Sequence, residues 1–506
     1  MHIGKLLELL AQLPWPAWLA LEFLLHLAIF LMVAFHCLKS RREPTAAILW
    51  MFLAWAFPII GPILFIIFGV NRTERKGWHK HLADSNLRAA RQAREDAALP
   101  MAYWQAVHRS LAPELTEPVA RKLNNVANAI LYDYPLLGGN AIETLVDGDQ
   151  AYPQMRAAIE RAQHHIHFQT FIIGNDAVGR EFLDLLAERA ASGVAVRVLY
   201  DRFGSTKAVM HRLFHKYRNV PNMQIAAWTQ VNAFKRQFFF NLRNHRKIMV
   251  VDGREAFTGG INLHEENITR KDRAAIRDYH FRLSGPIIQE LQYSFVRDWY
   301  FMTDEDPEQL LHEDHFPNLA PAGKCLIRLV SSGPTPEEYE AVANIFFECL
   351  SVARRQVFAV TPYFVPNDAI LHAFRSAAMR GVDVRLLVPM RNNHFYAGLA
   401  GKAFYEELLA SGVRIFRRHP PFMHAKALIV DDQAAMVGSA NLDMRSLRLN
   451  YETNLLVFDA GFTNQLKRVI LEDLAASEEI NLTRWRARST SQRLLENFCH
   501  LLAPIL

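Results

Sequence analysis

The sequence predicts an α/β protein made of two like halves in tandem, related by pseudo-twofold symmetry and preceded by an N-terminal transmembrane helical hairpin. Three observations lead there: two apolar stretches in the first 70 residues, an order of predicted elements that recurs 188 positions later, and a short polar motif present once per half. At 506 residues the chain is about three domain lengths, so it needs more than one core. It is 51% hydrophobic and 21% charged, which excludes a disordered or fibrous chain and leaves more apolar residues than a water-soluble core needs. A net charge of +6 is too small to argue for nucleic acid, and an anionic lipid surface suits it as well. Cys37, Cys325, Cys349 and Cys499 lie far apart, so they read as reduced structural thiols rather than a disulfide framework or zinc site.

Residues 17–38 are an apolar stretch interrupted only by Glu22, His26 and His36, and residues 46–70 contain no ionisable side chain. Each stretch can cross a hydrocarbon core of ~30 Å at ~1.5 Å per residue. The expectation is a retained hairpin over residues 1–70, with helices at about 17–38 and 46–69. The first stretch runs into Lys39, Arg41 and Arg42 rather than a cleavage motif. Glu22 and His26 stand one helical turn apart, as an intramembrane pair or as a helix end among headgroups. Pro58, Gly61 and Pro62 would kink the second helix or make it re-entrant. Those three connector cations face Lys5, Arg72, Arg75, Lys76 and Lys80 on the other side, which favours a cytoplasmic N-terminus and C-terminal part.

Residues 71–130 read as a basic helical linker, lying along headgroups or in solvent. An α/β pattern follows: a helix at 155–163, a strand at 165–173, a helix at 179–191 and a strand at 194–200, which implies a largely buried sheet with helices on its faces. Gly193-Val194-Ala195-Val196-Arg197 is echoed by Gly381-Val382-Asp383-Val384-Arg385. An acidic, proline-containing linker at 303–324 separates the halves, 131–302 and 325–506.

Each half carries H-x-K-x4-D within a β-rich segment: His245, Lys247 and Asp252 in the first, His424, Lys426 and Asp431 in the second. On a strand, residues two apart share a face, and each Asp falls where the apolar run meets a turn. Asn262 and Asn441 follow their histidines at the same spacing of 17 positions, after Gly259-Gly260 and Gly438-Ser439. Lysine is a poor metal ligand and no Cys or carboxylate cluster accompanies it, whereas paired His, Lys and Asn suit an anionic phosphodiester. Lysines and amides would stabilise the nonbridging oxygens while one imidazole attacks phosphorus and the other protonates the leaving oxygen. Each imidazole needs an orienting partner, and Asp278, 33 positions after His245, and Glu452, 28 after His424, are candidates beside surface carboxylates.

These paired motifs resemble the phospholipase D superfamily. The two apolar segments, Thr361-Pro362-Tyr363-Phe364-Val365-Pro366 and Asn441-Leu442-Asp443-Met444-Arg445-Ser446-Leu447 are similar to its bacterial cardiolipin synthase family. The resemblance implies tandem phospholipase D-like domains and phosphatidyl transfer between two phosphatidylglycerols, without metal or cofactor, through a phosphohistidine on His245 with His424 as acid and base. It also implies phosphate binding by Lys247, Lys426, Asn262 and Asn441, and orientation of the histidines by Asp278 and Glu452. The motif places Asp252 and Asp431 in the catalytic set, although they look structural. A multi-pass protein of the bacterial inner membrane is implied, with phosphatidylglycerol, cardiolipin and anionic lipids as partners, no nucleic acid, and a homo-oligomer as an option.

Gly260 against Ser439, and His264-Glu265-Glu266, depart from the pattern. The mixed aromatic and cationic residues 233–243 suit either a lipid-access surface or a buried element, and Leu494, Leu495, Phe498, Leu501, Leu502, Ile505 and Leu506 suit either membrane contact or packing. A phospholipase D that hydrolyses its lipid to phosphatidic acid would share every one of these catalytic residues.

Overall fold

The computed structural model describes residues 14–39, 44–69, 73–98, 115–131, 134–228, 231–232, 237–238, 242–335 and 338–501. They fall into two compact units, Met1–Glu74 and Arg75–Leu506. Residues 233–236 and 239–241, most of the candidate lipid-access segment, lie outside the described residues, as do Lys5, Arg41, Arg42, Arg72, Leu502, Ile505 and Leu506.

In the first unit, α1 (Trp15–Lys39) is apolar on every side, and among the described residues it is the one helix long and apolar enough to cross a membrane. Leu24, Leu25, Met32 and Phe35 are exposed on it, as suits a helix whose solvent is lipid. The second apolar stretch is not the continuous helix expected over 46–69. α2 (Pro44–Ala56) has 13 residues, and the chain breaks at 57–59 before a short helix at Ile60–Leu64 and a π-helical turn at Phe65–Gly69. Pro58 has no N–H for the helical ladder and disfavours helical geometry at Phe57. The two helices meet through His26 and Phe30 on Trp55, with ring centroids 5.0 and 5.2 Å apart.

Most of α3 (Thr73–Ala98) and all of α4 (Pro118–Ile130) belong to the second unit, and neither is a free linker. Lys80, Asp84 and Leu87 of α3 are buried, and α4 sinks Val119, Ala120, Leu123 and Ala127 into the main core. Each is drawn in by apolar residues at helical spacing that a charge count overlooks.

The first half supplies β1 (Leu136–Val146), α5 (Asp147–Arg161), β2 (His165–Thr170), α6 (Ala177–Ala191), β3 (Ala195–Asp201), β4 (Met223–Trp228), β5 (Ile248–Val251), β6 (Glu255–Gly259), β7 (Tyr279–Ser284) and α7 (Ile287–Thr303). The second supplies β8 (Cys325–Ser332), α8 (Ala341–Val352), β9 (Gln356–Val360), α9 (Asp368–Met379), β10 (Asp383–Pro389), β11 (Arg414–Arg418), β12 (Ala427–Val430), β13 (Ala434–Gly438), β14 (Glu452–Phe458), α10 (Ala460–Ala475) and β15 (Ser477–Glu479). These fifteen strands form one sheet, in the order β15-β11-β10-β9-β12-β13-β14-β8-β1-β7-β6-β5-β2-β3-β4, and two further two-stranded sheets lie outside it.

Read outward from β1 and from β8, the first seven strands of each half follow the same path, three antiparallel hairpin strands and then three parallel ones. The halves join where β1 pairs antiparallel with β8, Leu137 opposite Ile327. Strands such as Ile248–Val251 and Glu452–Phe458 are buried throughout, as β-branched and apolar runs sandwiched by helices must be. Residues 304–324 carry only a short helix and a 3-10 turn, yet Leu310 and His315 are buried and Glu305 bonds Arg197 and the Trp299 indole.

Candidate active site

Each motif histidine lies in an extended segment just before its strand, and that segment is stitched to the opposite half. The His245 N–H donates to the Tyr451 carbonyl (2.9 Å), next to Glu452, and the His424 N–H donates to the Arg277 carbonyl (2.7 Å), next to Asp278. This stitching dictates the side-chain pairing. His245 Nδ1 meets Glu452 Oε2 at 2.9 Å, and His424 Nδ1 meets Asp278 Oδ2 at 2.7 Å. Each histidine is therefore oriented by the carboxylate of the other half. A carboxylate only accepts, so Nδ1 carries the hydrogen and Nε2 keeps its lone pair.

Both imidazoles line one cavity of about 340 Å³, together with Asn262, Asn441, Tyr363 and Arg445. Asn262 Oδ1 accepts from the Ile172 N–H (3.2 Å), which leaves its amide NH2 available to the cavity. Asn441 lies beside the Asp443 carboxylate and favours its charged form, and among the described residues its own Oδ1 is buried without a hydrogen-bond partner. The Lys247 ammonium donates to the His245 carbonyl at 2.7 Å, and Lys426 makes the equivalent bond to His424. The sequence thus brings its two His, two Lys, two Asn and two orienting carboxylates together.

Burial sets the electrostatics. It lowers His245, and with the Lys426 charge it lowers His424 to about 3, so both imidazoles rest neutral. Burial also takes Lys247 down to about 7 and Lys426 to about 8. For Asp278 and Glu452 burial acts in the opposite sense, but the adjacent His424 and His245 and the lysines outweigh it and hold both carboxyls below their usual range. Two neutral Nε2 atoms facing one space flanked by cations can attack phosphorus and shuttle a proton.

Asp252 and Asp431 do not join this group. Their carboxylates sit at the far ends of β5 and β12, where Asp252 accepts from the N–H groups of Gln163, His164 and His165 (2.7 to 2.9 Å) and Asp431 from those of Arg354, Arg355 and Gln356 (2.7 to 2.8 Å). Both adopt left-handed backbone, φ +51°, so the motif aspartate shapes a turn and ties it to the neighbouring strand. The mismatch of Gly260 and Ser439 also has a physical cause. A Cβ on Gly260 would lie 2.0 Å from Asp278 Oδ1, while Ser439 Oγ donates to Glu452 Oε2 at 2.6 Å. The shorter Asp needs the space that the longer Glu leaves for a serine hydroxyl.

One residue escaped notice because it is the variable position of the motif. Arg246 is fully buried and bonds Asp298 (2.9 Å), Glu338 (3.3 Å) and the Glu452 carbonyl (3.3 Å). Asp298 also bonds Asn244 (2.8 Å), and Lys80 of α3 lies 3.4 Å from it. The second motif has Ala425 at this place. Nothing in a single H-x-K string marks such a residue, apart from an arginine where its repeat has alanine.

The paired motifs converging on one sheet define a phospholipase D-like α/β protein with two such domains. The family described as "Cardiolipin synthase, PLD-like domain" matches residues 155–299 and 346–474, and "Phospholipase_D-nuclease N-terminal" matches 28–69. Cardiolipin synthase A of Pseudomonas fluorescens (strain SBW25) is 34% identical over 484 residues, covering 94% of this chain and 96% of that protein. Cardiolipin synthase of Geobacillus thermodenitrificans (strain NG80-2) is 30% identical over 477 residues, covering 94% and 91%. The crystal structure of phosphatidylserine synthase from Haemophilus influenzae Rd KW20 shares the fold, with a TM-score of 0.58 at 15% identity over 76% of this chain and all of that one. The chain belongs to the cardiolipin synthase family of phospholipase D-like proteins.

Proposed function

We propose that this chain makes cardiolipin by moving a phosphatidyl group from one phosphatidylglycerol to another, through a phosphohistidine. Its family makes it a membrane-associated phosphatidyltransferase working on phospholipids. The finer reading rests above all on one observation: two imidazoles in one cavity, each with Nδ1 held by a buried carboxylate.

As the lipid phosphodiester enters, His424 Nε2 takes up a proton from solvent; His245 Nε2 then attacks phosphorus, the N–P bond forms, the P–O bond to glycerol breaks, and the leaving oxygen takes that proton from His424 Nε2. The arriving phosphodiester supplies the negative charge that lets His424 hold that proton despite its burial. In the second step the acceptor hydroxyl gives its proton back to His424, its oxygen bonds phosphorus and the N–P bond breaks. Lys247, Lys426, Asn262 and Asn441 steady the nonbridging oxygens, and Asp278 and Glu452 keep the rings aligned. Asp252 and Asp431 serve the turns.

The two halves, 131–302 and 325–506, act as a pseudo-twofold pair. Residues 1–70 are a membrane hairpin in the bacterial inner membrane, with the catalytic part cytoplasmic. Leu494, Leu495, Phe498 and Leu501, exposed along one helix, support a second lipid contact. Nucleic acid is not a partner in this reading.

The test is to incubate purified protein with labelled phosphatidylglycerol and identify the products, beside His245→Ala and His424→Ala. Cardiolipin and glycerol are expected from the wild type, with at least a 10³-fold loss in each variant and a trapped phosphatidyl group only where His245 is intact. Phosphatidic acid without cardiolipin would make the protein a hydrolase instead.

A further inference from the structure

We propose that Arg243 and Arg445 form a second anion subsite in the cavity, which holds the phosphodiester of the acceptor lipid while its free hydroxyl faces the phosphohistidine. The inference rests on the function proposed above and names what selects its second substrate.

The histidines, lysines and asparagines account for one phosphate, the one that reacts. Two guanidinium groups line the same cavity and have no part in that account. Arg243 precedes His245 by two residues and lies half-buried over the Phe203 ring, 3.8 Å from its centroid. Among the described residues its guanidinium takes no hydrogen bond or ion pair. The carboxylate nearest in charge, Asp201, is spent on the N–H groups of Phe203 (2.9 Å), Gly204 (3.0 Å) and Asn244 (3.1 Å). Arg445 is close enough that its charge opposes that of Arg243, which burial already weakens. Asp443, the carboxylate on the cavity wall, accepts from the Ser446 N–H (2.8 Å) and lies close enough to Arg445 to feel its charge.

A guanidinium half withdrawn from water, with its donors unfilled and a second cation beside it, is a costly arrangement until an anion arrives. Water or a neutral alcohol brings no such charge. An acceptor lipid does, because it carries its own phosphodiester a three-carbon glycerol away from the hydroxyl that reacts. With that phosphate on the two arginines, the hydroxyl oxygen bonds the phosphatidyl phosphorus as the bond to His245 Nε2 breaks, and its proton passes to His424. The aromatic walls Phe171, Phe203 and Tyr363 flank the bridge between the two anions.

The experiment offers the full-length protein labelled phosphatidylglycerol and ethanol together, and measures cardiolipin and phosphatidylethanol in the same tube. Arg243→Gln and Arg445→Gln are each expected to lower the ratio of cardiolipin to phosphatidylethanol about ten- to a hundredfold, the worth of a charged hydrogen bond. Arg243→Lys should recover part of it. An unchanged ratio in both Gln variants, including an equal fall in both products, overturns the proposal. If a Gln variant makes neither product, the ratio in Arg243→Lys decides: lowered supports the subsite, unchanged overturns it. A wild type that makes phosphatidylethanol but no cardiolipin would sink the proposed function itself, a different result from an unmoved ratio.

Discussion

His424 shows how burial shapes a single residue. Its imidazole falls from an ordinary 6.5 to about 3. Between those values the unfolded chain binds a proton that the folded chain does not, so this residue makes stability fall as pH drops from 6.5 toward 3. Asp278, with its carboxyl held low, acts in the same direction once pH approaches the usual carboxylate value. Thermal unfolding at pH 7 and at pH 4.5 should therefore show a smaller loss for His424→Asn than for the wild type. An equal loss would count against this environment for the ring. At this scale the sequence was largely legible: His, Lys and Asn were visible because their chemistry is rare at that spacing, whereas the spacing of Asp278 and Glu452 did not separate them from surface carboxylates and only the family resemblance singled them out. Which carboxylate serves which histidine was not, since it depends on the bonds of Tyr451 and Arg277 across the two halves. Arg246 was hidden for a different reason, as its partners Asp298 and Glu338 lie 52 and 92 residues away.

Among elements, α3 departs furthest from expectation. Its Lys and Arg content pointed to headgroups or solvent, but one face carries Lys80 and Asp84 into a buried network with Arg297, Asp298, Glu338 and Arg246. Removing one member strands the others in low dielectric. Asp84→Ala should cost about 3–5 kcal/mol, read from denaturant unfolding, and should raise hydrogen exchange along α3 first. A loss below 1 kcal/mol would mean that the network carries little of the docking. The strands and helices of the repeat were legible because apolar periodicity marks them directly. α2 was read too long because its residues are apolar on both sides of Pro58, and apolarity alone does not report a missing backbone donor.

For the whole molecule, the continuous sheet makes the two halves one folding problem. β1 and β8 are central strands, paired on both edges, so neither half has a finished sheet without the other. Expressed separately, residues 1–302 and 325–506 should each fail to transfer phosphatidyl groups, by product analysis as well as by labelling of His245. Turnover by either piece alone would contradict this.

The crossed pairing of His245 with Glu452 and His424 with Asp278 also has a genetic reading. Defects should sort by pair and not by position along the chain. Glu452→Gln should mimic His245 lesions and Asp278→Asn those of His424, although each couple straddles the linker. Because each histidine is held by the carboxylate of the other half, a change made in one half is read out at the histidine of its sibling.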